Sequence, residues 1–238
     1  MRKDIIWVLW TVALCMALAA LLLPGGGSAV ATAAAEPAGY VALTFDDGPW
    51  PGTTRVLLDG LEERGAKASF FLIGKQISTR PELVRRMADE GHQIGLHSWD
   101  HVQLSGLDRD GINRQLDQCR HALEELVGES HFMVRPPYGY VDEALEQWAD
   151  APIVCWSVDP EDWRDEDVER IIQAVLEDVG DGDIVLMHDI FHSSVTAALA
   201  CVDELLERGY CLVTVEELFA LRGEVPENGV VYHCLPGE

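Results

Sequence analysis

The strongest constraint on the fold is a repeated alternation of short apolar runs with longer amphipathic segments, from about residue 40 onward. Strands that alternate with helices in this way predict a parallel sheet joined by crossover helices. The pattern contains no glycine-rich nucleotide-binding motif, so it favours a single-domain α/β fold, a distorted (β/α) barrel with about seven parallel strands, over an open doubly wound sheet. The predicted strands are Tyr40–Phe45, Ala68–Ile73, Gln93–Leu96, Phe132–Val134, Ile153–Ser157, Ile184–Met187 and Leu212–Val215. The predicted helices are Thr53–Arg64, Pro81–Glu90, Arg109–Val127, Asp142–Trp148, Asp165–Val179 and Ser193–Arg208.

Polar residues follow these predicted strands at the points where reactive groups lie in barrels of this kind. Reactive side chains of β/α barrels sit at the carboxyl ends of the strands, on one face. We therefore expect convergence of the residues found at those ends, which are Asp46 and Asp47, His97, Arg135, Asp159 and Asp162, and His188.

Length and charge narrow the classes of partner. A chain of 238 residues is long enough for one sizeable core and short for two. Its net charge of -24 and its pI near 4.5 argue against nucleic acid as a partner, since phosphate binding needs clustered lysine and arginine. The acidic surface also repels anionic polymers at long range, so a polymer partner would have to be held by local contacts.

The first residues differ in composition from everything that follows. An unbroken apolar run covers residues 5–23, after Arg2 and Lys3 and before Pro24 and three glycines. Its length lies between that of a signal-peptide core and that of a short membrane helix. Residues 1–24 are therefore predicted to be a signal peptide or a membrane anchor, and both place the rest outside the cytoplasm, secreted or tethered by residues 5–23. We expect a linker over 25–38, a catalytic domain over 39–222 and a tail over 223–238.

Two short motifs predict a metal centre. Asp46 and Asp47 leave the first strand side by side, and neighbouring residues at a strand end point in different directions. One carboxylate can therefore bind a metal while the other faces a substrate. His97 and His101 are four residues apart, a spacing that places two imidazoles on one side of a helical turn. Two histidines and one aspartate form a three-ligand site for zinc, cobalt or another divalent ion, with positions left open for water.

With three further motifs, this pattern resembles the polysaccharide deacetylases of carbohydrate esterase family 4, which act on chitin, peptidoglycan and acetylxylan. The resemblance covers about residues 39–222, and the motifs occur in the family's order. They are Thr44-Phe45-Asp46-Asp47-Gly48-Pro49, His97-Ser98-Trp99-Asp100-His101, Arg135-Pro136-Pro137-Tyr138-Gly139, Asp159-Pro160-Glu161-Asp162-Trp163 and Leu186-Met187-His188-Asp189.

The resemblance implies a role for each matching residue. Asp46 would be the general base, His188 the general acid, and Asp47 with His97 and His101 the metal ligands, with zinc the expected metal. The supporting residues would be Arg135, which orients the base, Asp162, which partners His188, the backbone N–H near Tyr138, which stabilises an oxyanion, and Trp163 and Leu186, which enclose the acetyl methyl group.

The implied activity is metal-dependent removal of N-acetyl groups from an extracytoplasmic glycan, either peptidoglycan or a chitin-type polymer or oligomer. An O-acetyl esterase acting on acetylxylan needs the same residues and is the first alternative. A glycan-binding pseudoenzyme of the cell envelope is the second, although both Asp46 and His188 are present.

Overall fold

The computed structural model describes residues 36–237 of the chain, and seven strands are found in that range. β1 is the longest, and its neighbours on both edges run parallel to it. The strands are β1 (Gly39–Asp46), β2 (Ser69–Leu72), β3 (Gln93–Leu96), β4 (Ile153–Val154), β5 (Ile184–His188), β6 (Tyr210–Leu212) and β7 (Val231–Tyr232).

Eight α-helices connect or flank these strands in the described range, and a short 3-10 helix covers Pro137–Gly139. The helices are α1 (Thr53–Arg64), α2 (Gly74–Thr79), α3 (Pro81–Asp89), α4 (Arg109–Val127), α5 (Glu143–Trp148), α6 (Val168–Asp178), α7 (His192–Glu207) and α8 (Val215–Arg222).

The strands close into a ring. β3, β2, β1 and β5 are consecutive neighbours, and β6 pairs with the first part of β1. Val134 bridges the end of β3 to β4, and Val158 bridges the segment after β4 to β5. All pairs between the named strands are parallel. The expectation of a distorted (β/α) barrel is therefore confirmed.

Two predicted strands differ in the structure, and two helices of the structure were not predicted. Phe132–Val134 contributes only the isolated bridges of Val134. The last predicted strand, Leu212–Val215, lies earlier in the chain, as β6 (Tyr210–Leu212). It cannot extend to Val215 because Thr214 and Glu217 form a capping box that starts α8 there. Helices α2 and α8 were not predicted from the sequence.

The barrel has an outer core between strands and helices and an inner core within the ring. Leu43 and Phe45 of β1 pack in the outer core, whereas Ala42 packs in the inner one. Because strand side chains alternate between faces, Thr44 and Asp46 share the inner face with Ala42. The barrel interior thus changes from apolar to polar toward the carboxyl ends of the strands.

Residues from Ala38 onward form one compact unit, to which the predicted tail contributes. β7 pairs with β4, and the backbone N–H of buried Leu235 donates a 2.7 Å hydrogen bond to the carbonyl of Gly182. Among the described helices, none has the length and apolar character needed to cross a bilayer. The predicted signal peptide or anchor, and nearly all of the predicted linker, lie outside the described residues.

Candidate active site

The two aspartates at the end of β1 contact different partners. Asp46 is buried, and its Oδ1 accepts a 2.9 Å hydrogen bond from Nη1 of Arg135. Asp47 adopts a φ of 74°, and its Oδ1 lies 3.4 Å from Nε2 of His97 and 3.2 Å from Nε2 of His101. Asp46 is therefore hydrogen-bonded to an arginine, with its Oδ2 also 3.7 Å from Nε2 of His97, whereas Asp47 lies against both histidines.

The two histidines are brought together by a loop, not by the helical turn that their spacing predicts. Residues 97–101 contain no helix, and Ser98 and His101 have left-handed φ values of 60° and 61°. This backbone folds the loop so that the ring centroids of His97 and His101 lie 5.0 Å apart. The side-chain oxygen of Gln115 in α4 accepts two backbone N–H groups of the loop, at 2.9 and 3.3 Å.

Asp47, His97 and His101 fit a divalent cation. Their ligand atoms all lie within 4.8 Å of one another, and the buried Oδ1 of Asp47 has no hydrogen-bond donor. The backbone carbonyl of Arg135 lies 2.8 Å from Nδ1 of His97, so that nitrogen is the donor and Nε2 keeps its lone pair. Burial opposes ionisation of Asp47, but its interactions with the nearby imidazoles of His97 and His101 lower its pKa to about 2. A carboxylate and two imidazoles are a donor set that binds zinc or cobalt.

The guanidinium of Arg135 is fully buried, and each of its three nitrogens donates at least one hydrogen bond. Besides Asp46, its Nη1 donates to Oγ1 of Thr44 at 2.6 Å. Its other nitrogens donate to the backbone carbonyls of Val154 and Cys155, at 3.1 and 2.9 Å. Because these acceptors lie in or directly after β1 and β4, Arg135 holds the carboxylate of Asp46 in one orientation.

His188 lies at the end of β5 and contacts Asp162 through two hydrogen bonds. Nδ1 of His188 donates to Oδ1 of Asp162, and its backbone N–H donates to Oδ2, both at 2.8 Å. Burial lowers the pKa of His188, but the bond and charge of Asp162, with the charges of Asp46 and Asp47, raise it to about 9. The imidazole is therefore held as a cation at neutral pH, with Nε2 as its second proton carrier.

The remaining predicted residues lie on loops and strands around this cluster. Tyr138 has a left-handed φ of 66°, and its exposed ring packs edge-on against His101, with 4.9 Å between centroids. Leu186 precedes His188 by two residues in β5, so both side chains are on the inner face. Trp163 is exposed and directly follows Asp162.

Sequence reasoning missed the buried carboxyl of Asp189. It accepts a hydrogen bond from Oγ1 of Thr54, which also accepts the backbone N–H of Trp50. A side chain at Gly48 would collide with this carboxyl, because a Cβ there would lie 2.4 Å from Oδ1. Burial raises the pKa of Asp189 to about 7. Gly48, which directly follows Asp47, is the sequence signal for this close approach.

The sequence and the fold are both similar to those of known proteins. Residues 33–152 match the family model described as polysaccharide deacetylase. The peptidoglycan-N-acetylmuramic acid deacetylase PdaC of Bacillus subtilis is 39% identical over 178 residues, which are 75% of this chain and 38% of that protein. The chain spans 38 to 41% of the length of the first curated relatives that it matches.

Two solved structures carry the same similarity over most of their length. A structure titled T48 deacetylase with substrate has a TM-score of 0.78 and 40% identity, and covers 82% of this chain and 96% of its own. A family 4 acetyl xylan esterase from Clostridium thermocellum, in complex with a cobalt ion, has a TM-score of 0.79 and 31% identity, and covers 83% and 100%. The family match, the identity and the shared fold together show that this chain belongs to the polysaccharide deacetylase family.

Proposed function

We propose that this protein hydrolyses N-acetyl groups on an extracytoplasmic polysaccharide, either peptidoglycan or a polymer or oligomer of N-acetylglucosamine. The observation that carries the proposal is the position of Asp46 and His188, which are direct register partners on β1 and β5, beside the Asp47–His97–His101 cluster. A base and an acid thus lie on adjacent strands, next to a site that fits a divalent cation.

The residues supply what amide hydrolysis requires. Asp46, oriented by Arg135, takes a proton from the water that attacks the acetyl carbonyl carbon. His188, held protonated by Asp162, donates a proton to the amine as the carbon–nitrogen bond breaks, so that acetate and a free amino sugar leave. A zinc or cobalt ion held by Asp47, His97 and His101 would supply a Lewis acid.

The other predicted residues serve binding and stabilisation in this proposal. The backbone N–H near Tyr138 stabilises the charge that develops on the carbonyl oxygen. Trp163 and Leu186 form the walls around the acetyl methyl group. Leu186 is buried on the inner face of β5, close to His188 in the sequence, which suits that position.

The same proposal assigns a role to two segments of the chain. Residues 1–24 would direct the chain out of the cytoplasm as a cleaved signal or a retained anchor, and residues 39–222 would carry the chemistry. The similarity to a peptidoglycan deacetylase supports an extracytoplasmic substrate.

An O-acetyl esterase is the second candidate, favoured by the similarity to a family 4 acetyl xylan esterase. Ester hydrolysis uses the same attacking water and the same oxyanion stabilisation, and its leaving alkoxide also needs a proton. Variants of these residues would therefore lose both activities, and only a comparison of substrates distinguishes the two candidates.

The deciding experiment is acetate release by the full chain from N-acetylglucosamine oligomers, peptidoglycan and acetylxylan. Each assay is run with zinc, with cobalt and with a chelator, beside Asp46→Asn and His188→Gln. Metal-dependent release from an N-acetylated glycan, lost in both variants, is the expected result. Release only from acetylxylan would establish the esterase, and glycan binding without release by metal-loaded protein would establish a binding-only protein.

A further inference from the structure

A row of aromatic rings leads outward from the candidate metal ligands. The rings of His97 and His101 are followed by Tyr138, whose centroid lies 4.9 Å from that of His101. Tyr140 comes next, with 6.5 Å between its ring centroid and that of Tyr138 and an interplanar angle of 38°. Both tyrosines are 59% exposed. The row therefore begins at the buried site and ends on the open rim of the barrel.

The backbone that carries the two tyrosines is fixed by its surroundings. Tyr138 and Gly139 have φ values of 66° and 70°, and a Cβ at Gly139 would lie 2.6 Å from the indole of Trp156. Asp142, two residues beyond Tyr140, accepts the backbone N–H groups of Leu145 at 2.9 Å and Gly106 at 2.7 Å. The rings are thus presented by an ordered turn, so that binding a ligand to them loses little conformational entropy.

Two exposed aromatic rings on an ordered turn are well suited to sugars. Tyrosine offers an apolar ring face and a hydroxyl, which match the C–H face and the hydroxyl groups of a pyranose. The acidic protein offers no long-range attraction to a glycan chain, so local contacts of this kind must supply the affinity.

We propose that Tyr138 and Tyr140 form a binding site for the sugar residue that flanks the residue losing its acetyl group, with Tyr140 as the outer platform. The ligand is a β-linked oligomer of N-acetylated sugars, and the proposal rests on the function proposed above. Tyr140 lies outside the five sequence motifs, so it sets the preference for chain length without taking part in the hydrolysis.

The test measures binding without turnover. Calorimetric titrations use the zinc-loaded full chain with Asp46→Asn as the parent, and N-acetylglucosamine oligomers of one to five residues as ligands. The affinity of the parent is expected to increase with oligomer length. Adding Tyr140→Ala should remove about tenfold of the affinity for the longer oligomers, and a smaller factor for the monosaccharide.

Two further variants distinguish the loss of the Tyr140 ring from a general effect of truncating an exposed side chain. Tyr140→Phe keeps the ring and should keep most of the gain with length. Val225→Ala truncates another exposed apolar side chain, in the tail, and should bind like the parent. Equal affinity of the Tyr140→Ala protein and the parent for every oligomer would overturn the proposal, as would an equal loss for all lengths or no binding by the parent. Acetate release by the wild-type protein tests the proposed function separately.

Discussion

Asp46 and His188 are direct partners in the parallel register of β1 and β5, and both lie on the inner face of the barrel. Adjacent strands are about 4.8 Å apart, so the register alone brings the two side chains into one site. Each then has its own buried partner, Arg135 for Asp46 and Asp162 for His188. The base and the acid are therefore separately oriented, and the following predictions treat them separately.

Replacing Asp162 by asparagine is expected to move the alkaline limit of activity to lower pH. Burial lowers the pKa of His188, and the hydrogen bond and charge of Asp162 are the main effects that raise it to about 9. An acid with a lower pKa loses its proton at a lower pH, so the Asp162→Asn profile should fall earlier as pH rises. The measurement is kcat/KM across neutral and alkaline pH. Asp159→Asn changes a carboxylate of the same loop that does not bond to His188 and is the control; a common alkaline limit for all three proteins would contradict the prediction.

Arg135 and Asp46 should show strong coupling in unfolding experiments. Removal of one partner of a buried ion pair leaves an uncompensated charge, so Arg135→Met should lower the free energy of unfolding by about 3–5 kcal/mol. The double variant Arg135→Met, Asp46→Asn should lose less than the sum of the two single losses, because neither charge remains. Urea denaturation of the four proteins measures the cycle. Additive losses would show that the pair is not coupled.

Zinc should stabilise the wild-type protein through the Asp47–His97–His101 cluster. A ligand that binds only the folded state at 100 times its Kd adds about 2.7 kcal/mol. The thermal midpoint should therefore rise with zinc in the wild-type protein, and the rise should be absent in Asp47→Asn. His121→Gln is the matched control, because His121 is exposed and its ion-pair partners, Glu124 and Glu125, lie away from the cluster on its own helix. An equal rise of the thermal midpoint in Asp47→Asn would show that zinc binds elsewhere on the acidic surface.

Acid should destabilise the fold partly through His92. This histidine is buried and accepts the backbone N–H of Ala68, and burial is the main cause that lowers its pKa to about 4. The unfolded chain binds the proton near pH 6.5, so stability falls as pH decreases from about 6.5 to 4, by about 3 kcal/mol. His92→Asn should remove this part of the pH dependence. Denaturation of both proteins at neutral pH and near pH 4.5 measures it, and parallel losses would contradict it.

The C-terminal residues should be needed for folding. A chain that ends at Arg222 loses β7, which pairs with β4, and the buried side chain of Leu235. Loss of that side chain alone removes a contribution of about 2–3 kcal/mol. We expect a clearly lower thermal midpoint for this chain than for one that ends at Pro236. Equal midpoints would support a domain that is complete at residue 222.

Much of the fold could be predicted because the local signals agree with the tertiary structure. Thr53–Arg64 and Arg109–Val127 were predicted to the residue, since each ends where a glycine takes a left-handed conformation, Gly65 and Gly128. The helix Gly74–Thr79 was missed because it has only six residues and no side-chain cap. Val215–Arg222 was missed although its capping-box residues are present in the sequence.

The candidate site was predictable in its residues but not in its geometry. Strand-end positions and motif order named Asp46, Asp47 and His188, and the register of β1 and β5 brings Asp46 and His188 together. The loop that joins His97 to His101 depends on left-handed backbone and on Gln115, a residue far along the chain. Neither feature has a signal in the spacing of the two histidines, which explains the wrong prediction of a helical turn.

Asp47, His101 and Tyr138 all have φ values between 61° and 74°, a region that glycine occupies without strain. Each such residue destabilises the folded chain by about 1–3 kcal/mol, which the packing around it must offset. The side chains proposed to bind metal and substrate are thus placed where the backbone least tolerates a side chain. At these three residues, the side chain that the chemistry needs destabilises the fold. A barrel with glycine at all three would be more stable but would lack a working site.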